Sequence, residues 1–505
     1  MFSMLPAQND QLVTGDCLKS GSSIYHVQSI LGKGSFSMVA KCTRMDDMKI
    51  VAIKMMKNED AYVMQAKAEV DALTRLRSLD PDKCNLVRWH QVFTDRGHIC
   101  LEFEHLDKSV FDFMKERCYQ PLHLIEIRPI AQQLANALNH LKAAGMIHAD
   151  LKLENVMFVN HRQEPFRVKV IDFGLARTVS TARSGSYIQT CHYRSPEILL
   201  GLPFTEAIDM WSLGCMIAAM YLGTMLYPGM SEYEMIRYIV ETQGQPPDNM
   251  LTLGSKTCCF FQRKDTYSST LWKLKSPEQF HKETGIQPME NRMYKFASLD
   301  NFLNLRVINR RNYQDKIAET RDVEMFVDML KGMLKLDASK RITPRQVLQH
   351  RFTSMHHIIN MYHHSHYVVS CCKVMDICQK KAPLAHSGKT VCGSQQQPPF
   401  RTANPVQSHC INSPIRIDKR LFKRERERFY SRGSTPEVRL QSFDSRGSPR
   451  DIPRSVVSGI FAMTVKYVKY LNRFIKNESD SYFVKTLKIF ASGECGKQRH
   501  VRTVK

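Results

Sequence analysis

The sequence predicts an α+β fold with two lobes, a small β-rich lobe followed by a larger, mainly helical lobe. From residue 24, short β-branched runs separated by turn residues read IYHVQSIL, SMVAKCTR and KIVAIKMM, which is typical of an antiparallel meander. The larger lobe is indicated by IRPIAQQLANALNHLKAAG, whose apolar positions 127, 130, 134, 138 and 141 follow helical spacing. Because clefts between lobes commonly hold ligands, we expect the functional site there.

The remaining elements follow from the same periodicities. In DAYVMQAKAEVDALTRLRSL, apolar residues at 63, 66, 70, 73 and 76 predict a helix, and a further pair of strands is expected around 86 to 103. Gly145 is a suitable end for the long helix of the second lobe. The predicted divisions are a segment 1–23, a first lobe at about 24–104, a second lobe at about 105–352, an extension 353–385 and a tail 386–505.

The composition is that of a largely globular protein. The chain has 505 residues, of which 43% are hydrophobic and 24% charged, enough for two or three domains. Its fifteen cysteines show no C-x-x-C spacing, and the start MFSMLPAQNDQLVTGD lacks the features of a secretory signal. Since no run of about 18 apolar residues occurs, we expect no membrane span and a reducing, nuclear and/or cytoplasmic location.

The tail is basic, and its composition predicts that it is largely disordered. The net charge of the chain is +23, and residues 391–505 contribute about +14 of it. This predicts an acidic partner such as nucleic acid or a membrane surface; a solvated tail that binds nothing is the alternative. Within it, SVVSGIFAMTVKYVKYLNRFIKN predicts a basic amphipathic helix at 455–477 that binds an acidic surface. The alternatives are a helix docked on the folded domain and a segment without order. KRLFKRERERFYSR is a candidate nuclear import signal.

Three features of the first lobe are suited to binding phosphates. In LGKGSFSMV, Gly32 and Gly34 let the backbone of a strand–turn–strand approach phosphate groups closely. Lys54 of VAIK, on the third predicted strand, can reach the α- and β-phosphates of a nucleotide. Glu69, on the next predicted helix, is the natural ion-pair partner of that lysine. Each of these features alone is weak evidence for a phosphate-binding site.

Two further motifs give these features a chemistry. In HADLKLEN, Asp150 can accept the proton of a substrate hydroxyl, and Lys152 can neutralise charge on a transferring phosphoryl group. Asn155, together with Asp172 of the Asp-Phe-Gly that follows a buried strand, provides hard oxygen ligands for Mg²⁺. All the motifs occur in the order and spacing of protein kinases, which predicts phosphoryl transfer from Mg-ATP.

Residues 24 to about 380 resemble eukaryotic protein kinases of the CMGC group and are most similar to the homeodomain-interacting protein kinases. The residues that carry the resemblance are HADLK, SYIQTCHYRSPEILLGLPFTEAIDMWSLGCMIA, LYPGMSEYEMIRYIVETQG, LWKLKSPEQFHKETG and DASKRITPRQVL. The resemblance implies a two-lobed protein kinase fold, ATP and Mg²⁺ as cofactors, Ser/Thr protein substrates and transcription regulators among the partners. It does not extend beyond residue 390.

The same resemblance assigns roles to individual residues. Phe103 would be the gatekeeper of the adenine pocket, and the backbone from Glu104 to Leu106 would bind adenine. Tyr187 would be an autophosphorylated, activating tyrosine with Arg194 as its partner, and Glu197 would pair with Arg341 as a structural anchor. The residues expected around ATP are Leu31, Gly32, Lys33, Gly34, Ser35, Phe36, Val39, Ala52, Lys54, Glu69, Phe103, Glu104 and Leu106.

The sequence also departs from the usual kinase pattern. Ser37 stands where the phosphate loop usually has its third glycine, Leu153 replaces a proline, Cys191 replaces an arginine that helps hold phosphotyrosine, and Ser195 begins a variant of the usual Ala-Pro-Glu. Ala149, in place of the usual arginine, is shared with the family it resembles. The alternatives that remain are a pseudokinase-like scaffold and a nucleic-acid-binding protein whose basic tail is the functional part.

Histidines and cysteines of the extension admit a zinc site, but their irregular spacing favours packing against the large lobe. These residues are His356, His357, His363, His364, His366, Cys371, Cys372 and Cys378.

Overall fold

The computed structural model describes residues 12–34, 37–58, 60–264, 271–306 and 310–379. They belong to one structural unit, Met1–Pro383. The basic tail 386–505, with its predicted helix at 455–477, lies outside the described residues, as do the expected ATP-binding residues Ser35 and Phe36.

The first lobe is built on a six-stranded antiparallel sheet. Its strands are β1 (Cys17–Lys19), β2 (Ile24–Lys33), β3 (Ser37–Arg44), β4 (Lys49–Met56), β5 (Trp89–Asp95) and β6 (His98–Glu104), in the order β1-β2-β3-β4-β6-β5. The predicted meander of the first strands and the later strand pair are therefore confirmed. Helix α1 (Asp60–Leu76) lies between β4 and β5 in the chain, and the strand that pairs with β4 is β6 and not β5.

Alternation along these strands explains the sheet's packing. The buried cluster contains pairs of residues two positions apart on each of three strands, as the period of a β-strand requires. They are Tyr25 and Val27 on β2, Ala40 and Cys42 on β3, and Val51 and Ile53 on β4. On α1 the predicted apolar positions are buried or half-buried, so this helix is confirmed as amphipathic.

The second lobe is mainly helical. Its helices, with the short α2 that precedes β5, are α2 (Pro81–Cys84), α3 (Val110–Glu116), α4 (Leu124–Ala143), α5 (Pro196–Leu200), α6 (Ala207–Leu222), α7 (Glu232–Gln243), α8 (Asp248–Leu253), α9 (Thr257–Phe260), α10 (Pro277–Thr284), α11 (Tyr313–Met333), α12 (Pro344–Gln349), α13 (Arg351–Ser354) and α14 (His366–Met375). The predicted positions of α4 are all buried. The predicted two-lobed kinase fold is confirmed. None of the helices in the described ranges is long and apolar enough to cross a bilayer.

Short strand pairs position the loops that carry the candidate catalytic residues. Strand β7 (Met146–Ile147), which leads into HADLKLEN, pairs with β10 (Arg177–Thr178). Strand β8 (Val156–Phe158), which follows that loop, pairs with β9 (Val168–Val170), after which Asp-Phe-Gly begins. The two motifs are therefore held side by side at one end of these ribbons. A third pair joins β11 (Phe261–Arg263) and β12 (Trp272–Leu274).

The extension packs on the large lobe. Tyr367, Val368 and Cys371 of α14 are buried together with Ala318 of α11, and half-buried Ile125 of α4 packs against them. Among the described residues, no group of three or more His, Cys, Asp or Glu side chains could hold a metal ion.

A buried ion pair joins the same helices. Arg128 of α4 and Asp322 of α11 are both fully buried and hydrogen-bonded to each other. Tyr367 and His357 of the extension also bind the Asp322 carboxylate, the latter with Nε2 at 2.9 Å. Arg128 Nε donates to the carbonyl of Phe352 at 2.9 Å.

Removing Arg128 should therefore be costly. We expect Arg128→Met to lower the free energy of unfolding by about 3–5 kcal/mol, because the Asp322 charge stays buried without its partner. Lys331→Met, which breaks the exposed pair with Asp300, is the control and should cost less than about 1 kcal/mol. Urea unfolding followed by circular dichroism measures both; equal losses would contradict the assigned role of the buried pair.

Candidate active site

One lysine joins the two lobes at the cleft. Lys54 lies on β4, Glu69 on α1, and Asp172 follows β9. Lys54 Nζ donates to the two carboxylate oxygens of Glu69 at 2.7 and 2.8 Å and to Asp172 Oδ1 at 2.8 Å. The predicted lysine–glutamate pair is thus formed, and the same ammonium also contacts the aspartate of Asp-Phe-Gly.

The charges of this cluster depend on one another. Burial opposes the charge on Lys54, but Asp172 and Glu69 outweigh it and raise the pKa of the lysine. Partial burial would raise the pKa of Asp172, but Lys54 outweighs this effect and lowers the pKa below its usual range. For Glu69, which is 1% exposed, burial prevails and the pKa is raised. Each carboxylate is therefore stabilised by the same single cation.

The carboxylate of Asp150 has two different sets of partners. Its Oδ1 accepts from Thr190 N at 3.1 Å and from Thr190 Oγ1 at 2.8 Å. Its Oδ2 accepts from Lys152 Nζ at 2.8 Å, and that nitrogen also lies 3.3 Å from Thr190 Oγ1. A hydroxyl side chain thus already sits within hydrogen-bond distance of both predicted catalytic residues, which is the geometry that a substrate hydroxyl requires.

A second buried aspartate holds the catalytic loop in shape. Asp209 of α6 accepts from the backbone N–H groups of His148 at 2.7 Å and Ala149 at 3.0 Å. Burial raises the pKa of the Asp209 carboxyl, with His148 opposing the shift. Ala149 and Asp172 have φ values of 65° and 62°, a region costly for residues with a Cβ, so the surrounding hydrogen bonds maintain this backbone.

The two predicted magnesium ligands are adjacent. Asn155 Nδ2 donates to the carbonyl of Asp150 at 2.9 Å, which leaves its Oδ1 as an oxygen donor. Ile171 N donates to the carbonyl of Asn155 at 3.0 Å and so places Asp172 beside it. The hydrogen bonds of Asp172 to the described residues fall on Oδ1, and its side chain is 40% exposed. This pair of hard oxygen donors fits Mg²⁺.

The expected nucleotide contacts line the first lobe. Strands β2 and β3 bring Gly32 opposite Val39, and Gly34 N donates to the carbonyl of Ser37 at 2.7 Å. Leu31, Lys33 and Gly34 are exposed at the turn. Ala52 is half-buried opposite Phe103.

The predicted hinge follows β6. Leu106 is buried, and the Glu104 carboxylate accepts from Arg88 N and Lys169 Nζ, each at 2.6 Å. The side chain of Glu104 therefore anchors the hinge.

The predicted regulatory pair is in contact. The ring of Tyr187 is 73% exposed and stacks on Arg194, with 4.0 Å between the ring centroid and Arg194 Cζ. The segment that carries them is held by apolar packing. Ile188 is buried in one cluster with Ala149 and with Ile198 of α5. Ala149, at the place of the usual arginine, thus contributes to this cluster.

The similarity of the chain to known proteins shows its family. The protein kinase domain family matches residues 25–353. The chain belongs to the protein kinase family. The kinase is 47% identical over 392 residues to homeodomain-interacting protein kinase 1 of Mus musculus, covering 78% of this chain and 32% of the relative. It is 41% identical over 403 residues to homeodomain-interacting protein kinase 1 of Caenorhabditis elegans, and this match covers 78% of this chain and 46% of the relative.

A third relative shows the same pattern. Homeodomain-interacting protein kinase 4 of Rattus norvegicus is 41% identical over 359 residues, covering 69% of this chain and 58% of the relative. The resemblance predicted from the motifs is therefore confirmed. The chain spans about a third of the length of the mouse relative, since it covers 32% of it.

The departures of this kinase leave its chemical groups in place. The backbone of Ser37 continues the β3 ladder opposite Met56. Leu153 is 2% exposed in the core beneath the catalytic loop. Cys191 Sγ donates to the carbonyl of Gly229 at 3.4 Å. The anchor expected from Glu197 is present, since it binds Arg341 through two hydrogen bonds of 2.7 and 3.0 Å.

Two residues in contact with the candidate catalytic loop were not predicted from the sequence. Thr190 was only part of a family-like stretch, and its contact with Asp150 arises across 40 residues of chain. Asp209 could have been found, because it is a single charge in the apolar run AIDMWSLGCMIAAM and is 2% exposed.

Replacing Thr190 tests the positioning of the catalytic groups. We expect Thr190→Val to lower kcat about 10- to 100-fold, because Asp150 and Lys152 lose the hydroxyl that orients them. The KM for ATP should not change. Steady-state kinetics on a peptide substrate measures both. Thr178→Val is the matched control, because Thr178 is also half-buried and its hydroxyl bonds only to the nearby Ser180 and Thr181 among the described contacts. A normal kcat in Thr190→Val would refute this role.

Proposed function

We propose that this chain is an ATP-dependent protein serine/threonine kinase. The observation that carries the proposal is the Asp150 carboxylate, which binds the hydroxyl of Thr190 on one oxygen and Lys152 on the other. The intact pair of Lys54 and Glu69 supports it, because this pair is what a kinase needs to hold nucleotide phosphates.

Each residue has one task in the proposed reaction. Mg-ATP, when bound, supplies the phosphoryl group. Lys54, held by Glu69, would bind its phosphates, and Asn155 and Asp172 would provide oxygen ligands to the metal. Asp150 orients a Ser or Thr hydroxyl and accepts its proton, and Lys152 stabilises the charge that develops. Positioning and electrostatics provide most of the acceleration.

We further propose that the segment beside Asp150 gives a preference for substrates with proline after the phosphorylated residue. Gln189 precedes Thr190 in the chain and has φ of 63°. Its carbonyl accepts from Arg194 Nη2 at 2.9 Å, and its side-chain amide donates to Ile208 O and Ser212 Oγ. A substrate N–H that reached this carbonyl would find it engaged. Proline has no N–H to satisfy, so it avoids that cost.

Peptides test this preference. We expect kcat/KM to be about tenfold higher for a Ser-Pro peptide than for the matched Ser-Ala peptide, because the Ser-Ala peptide would leave one N–H without a hydrogen-bond acceptor. A Ser peptide with N-methylalanine after the serine separates the effects, because it also lacks the N–H but has no ring. Equal kcat/KM for the Ser-Pro and Ser-Ala peptides would rule out the preference, and a poor N-methylalanine peptide would assign it to the ring.

We also propose that the kinase activates itself by phosphorylating Tyr187. The tyrosine is exposed and contacts Arg194, which can bind the phosphate that results. Expressed in bacteria, the wild type should carry phosphate on Tyr187 and Asp150→Ala should not, as measured by peptide mass spectrometry. Phosphate on neither protein, with Mg-ATP still raising Tm, would favour the pseudokinase-like scaffold.

The wider setting is also a proposal. The relatives are named for interaction with homeodomains. We extend this to transcription regulators as substrates or partners, and to a nuclear and/or cytoplasmic location.

We further propose the division into a kinase domain at 24–352, an extension at 353–385 and a basic tail at 386–505 that binds an acidic partner. Salt-sensitive binding of the full chain to DNA, absent when the tail's lysines and arginines are neutralised, would indicate nucleic acid as that partner.

A further inference from the structure

Arg194 has most of its donors engaged before any phosphate arrives. Its Nε donates to the carbonyl of Ile188 at 3.0 Å and its Nη2 to that of Gln189 at 2.9 Å. Its Nη1 donates to Glu232 Oε1 at 2.9 Å. The side chain is 3% exposed, so it cannot move far to meet a new partner. A phosphate on Tyr187 would find only the remaining N–H groups of one guanidinium.

A second cation lies on the other side of Glu232. Lys256 Nζ binds Glu232 Oε2 at 2.5 Å, so one carboxylate bridges Arg194 and Lys256. The backbone N–H of Lys256 donates to the carbonyl of Leu200, at the end of α5, at 3.0 Å. This hydrogen bond fixes the backbone from which the lysine side chain extends. The side chain of Lys256 is 30% exposed, so its ammonium group is open to solvent on one side of the contact with Glu232.

The local charge shows why a second cation is required. Arg194, Lys256 and Glu232 together carry +1, whereas phosphotyrosine carries about −1.5 to −2. Cys191, at the place of the usual second arginine, is a neutral thiol that donates to Gly229, and burial raises its pKa. Arg194 alone, shared with Glu232, therefore cannot neutralise the phosphate.

We propose that Lys256 is the second phosphate-binding residue for phosphorylated Tyr187, and that Glu232 occupies both cations until the phosphate replaces it. On phosphorylation, the exposed Tyr187 ring turns, the phosphate binds Arg194 and Lys256, and the Glu232 carboxylate turns towards solvent. The inference rests on the proposed phosphorylation of Tyr187 and names the residues that then hold the phosphate.

The test places the phosphate directly. Phosphotyrosine is incorporated at position 187 of the full chain by suppression of a stop codon, so the outcome does not depend on autophosphorylation. The rate at which an added tyrosine phosphatase removes it is measured on the folded protein and normalised to the urea-unfolded protein. The phosphatase should remove the phosphate from Lys256→Met about fivefold faster than from wild type, because the phosphate has lost one ion pair that holds it on the protein.

Three variants make the result specific. Glu232→Gln should slow dephosphorylation, because both cations are then free, whereas a merely structural carboxylate would not act in this direction. Cys191→Arg should restore the wild-type rate in Lys256→Met. Lys340→Met, an exposed lysine that pairs with Asp337, is the control and should match wild type.

Arg183, in the same segment as Tyr187, is the rival cation. A fast rate in Arg183→Met with a normal rate in Lys256→Met would overturn the proposal, as would equal rates in wild type and Lys256→Met. Absence of natural Tyr187 phosphate in the mass spectrometry above would instead refute autophosphorylation alone.

Discussion

The contact between Lys54 and the two carboxylates of Glu69 and Asp172 is the interaction on which the rest of the site depends. It joins a strand of the first lobe, the helix α1 and the end of β9 at one nitrogen atom. Breaking it would leave Glu69 buried without its counter-charge, a costly state. The ion pairs therefore hold the three side chains together at the cleft, and the packed cores of the two lobes hold the elements that carry them.

The catalytic loop shows the same principle with hydrogen bonds. Asp209, buried in an apolar helix, fixes the N–H groups before Asp150, and the left-handed backbone at Ala149 is maintained by that carboxylate. The strain is offset by groups that take no part in the chemistry. The loop is therefore held from beneath by contacts that do not involve position 153, where Leu153 stands in place of the usual proline.

The activation segment depends on apolar packing and on an internal carboxylate. Ala149 and Ile188 lie in one buried cluster, and Arg194 is already bound to Glu232. These contacts order the segment before any phosphate is present. Phosphorylation of Tyr187 would then act on an assembled site and exchange one anion for another, which is consistent with the loss of the arginine at position 191.

The amino-acid sequence was enough to predict the fold class, the long helices and the residues proposed for the chemistry, because strand and helix periodicity and motif spacing are local properties. It did not show that Thr190 meets Asp150, that Asp209 supports the loop, or that Lys256 shares Glu232 with Arg194. These contacts join residues 40, about 60 and 24 positions or more apart, and only the packing of α5, α6 and α7 decides them. A charge pair predicted from motif order, such as Lys54 with Glu69, could be found because both residues belong to known motifs. A pair outside any motif depends on which surfaces the tertiary structure brings together.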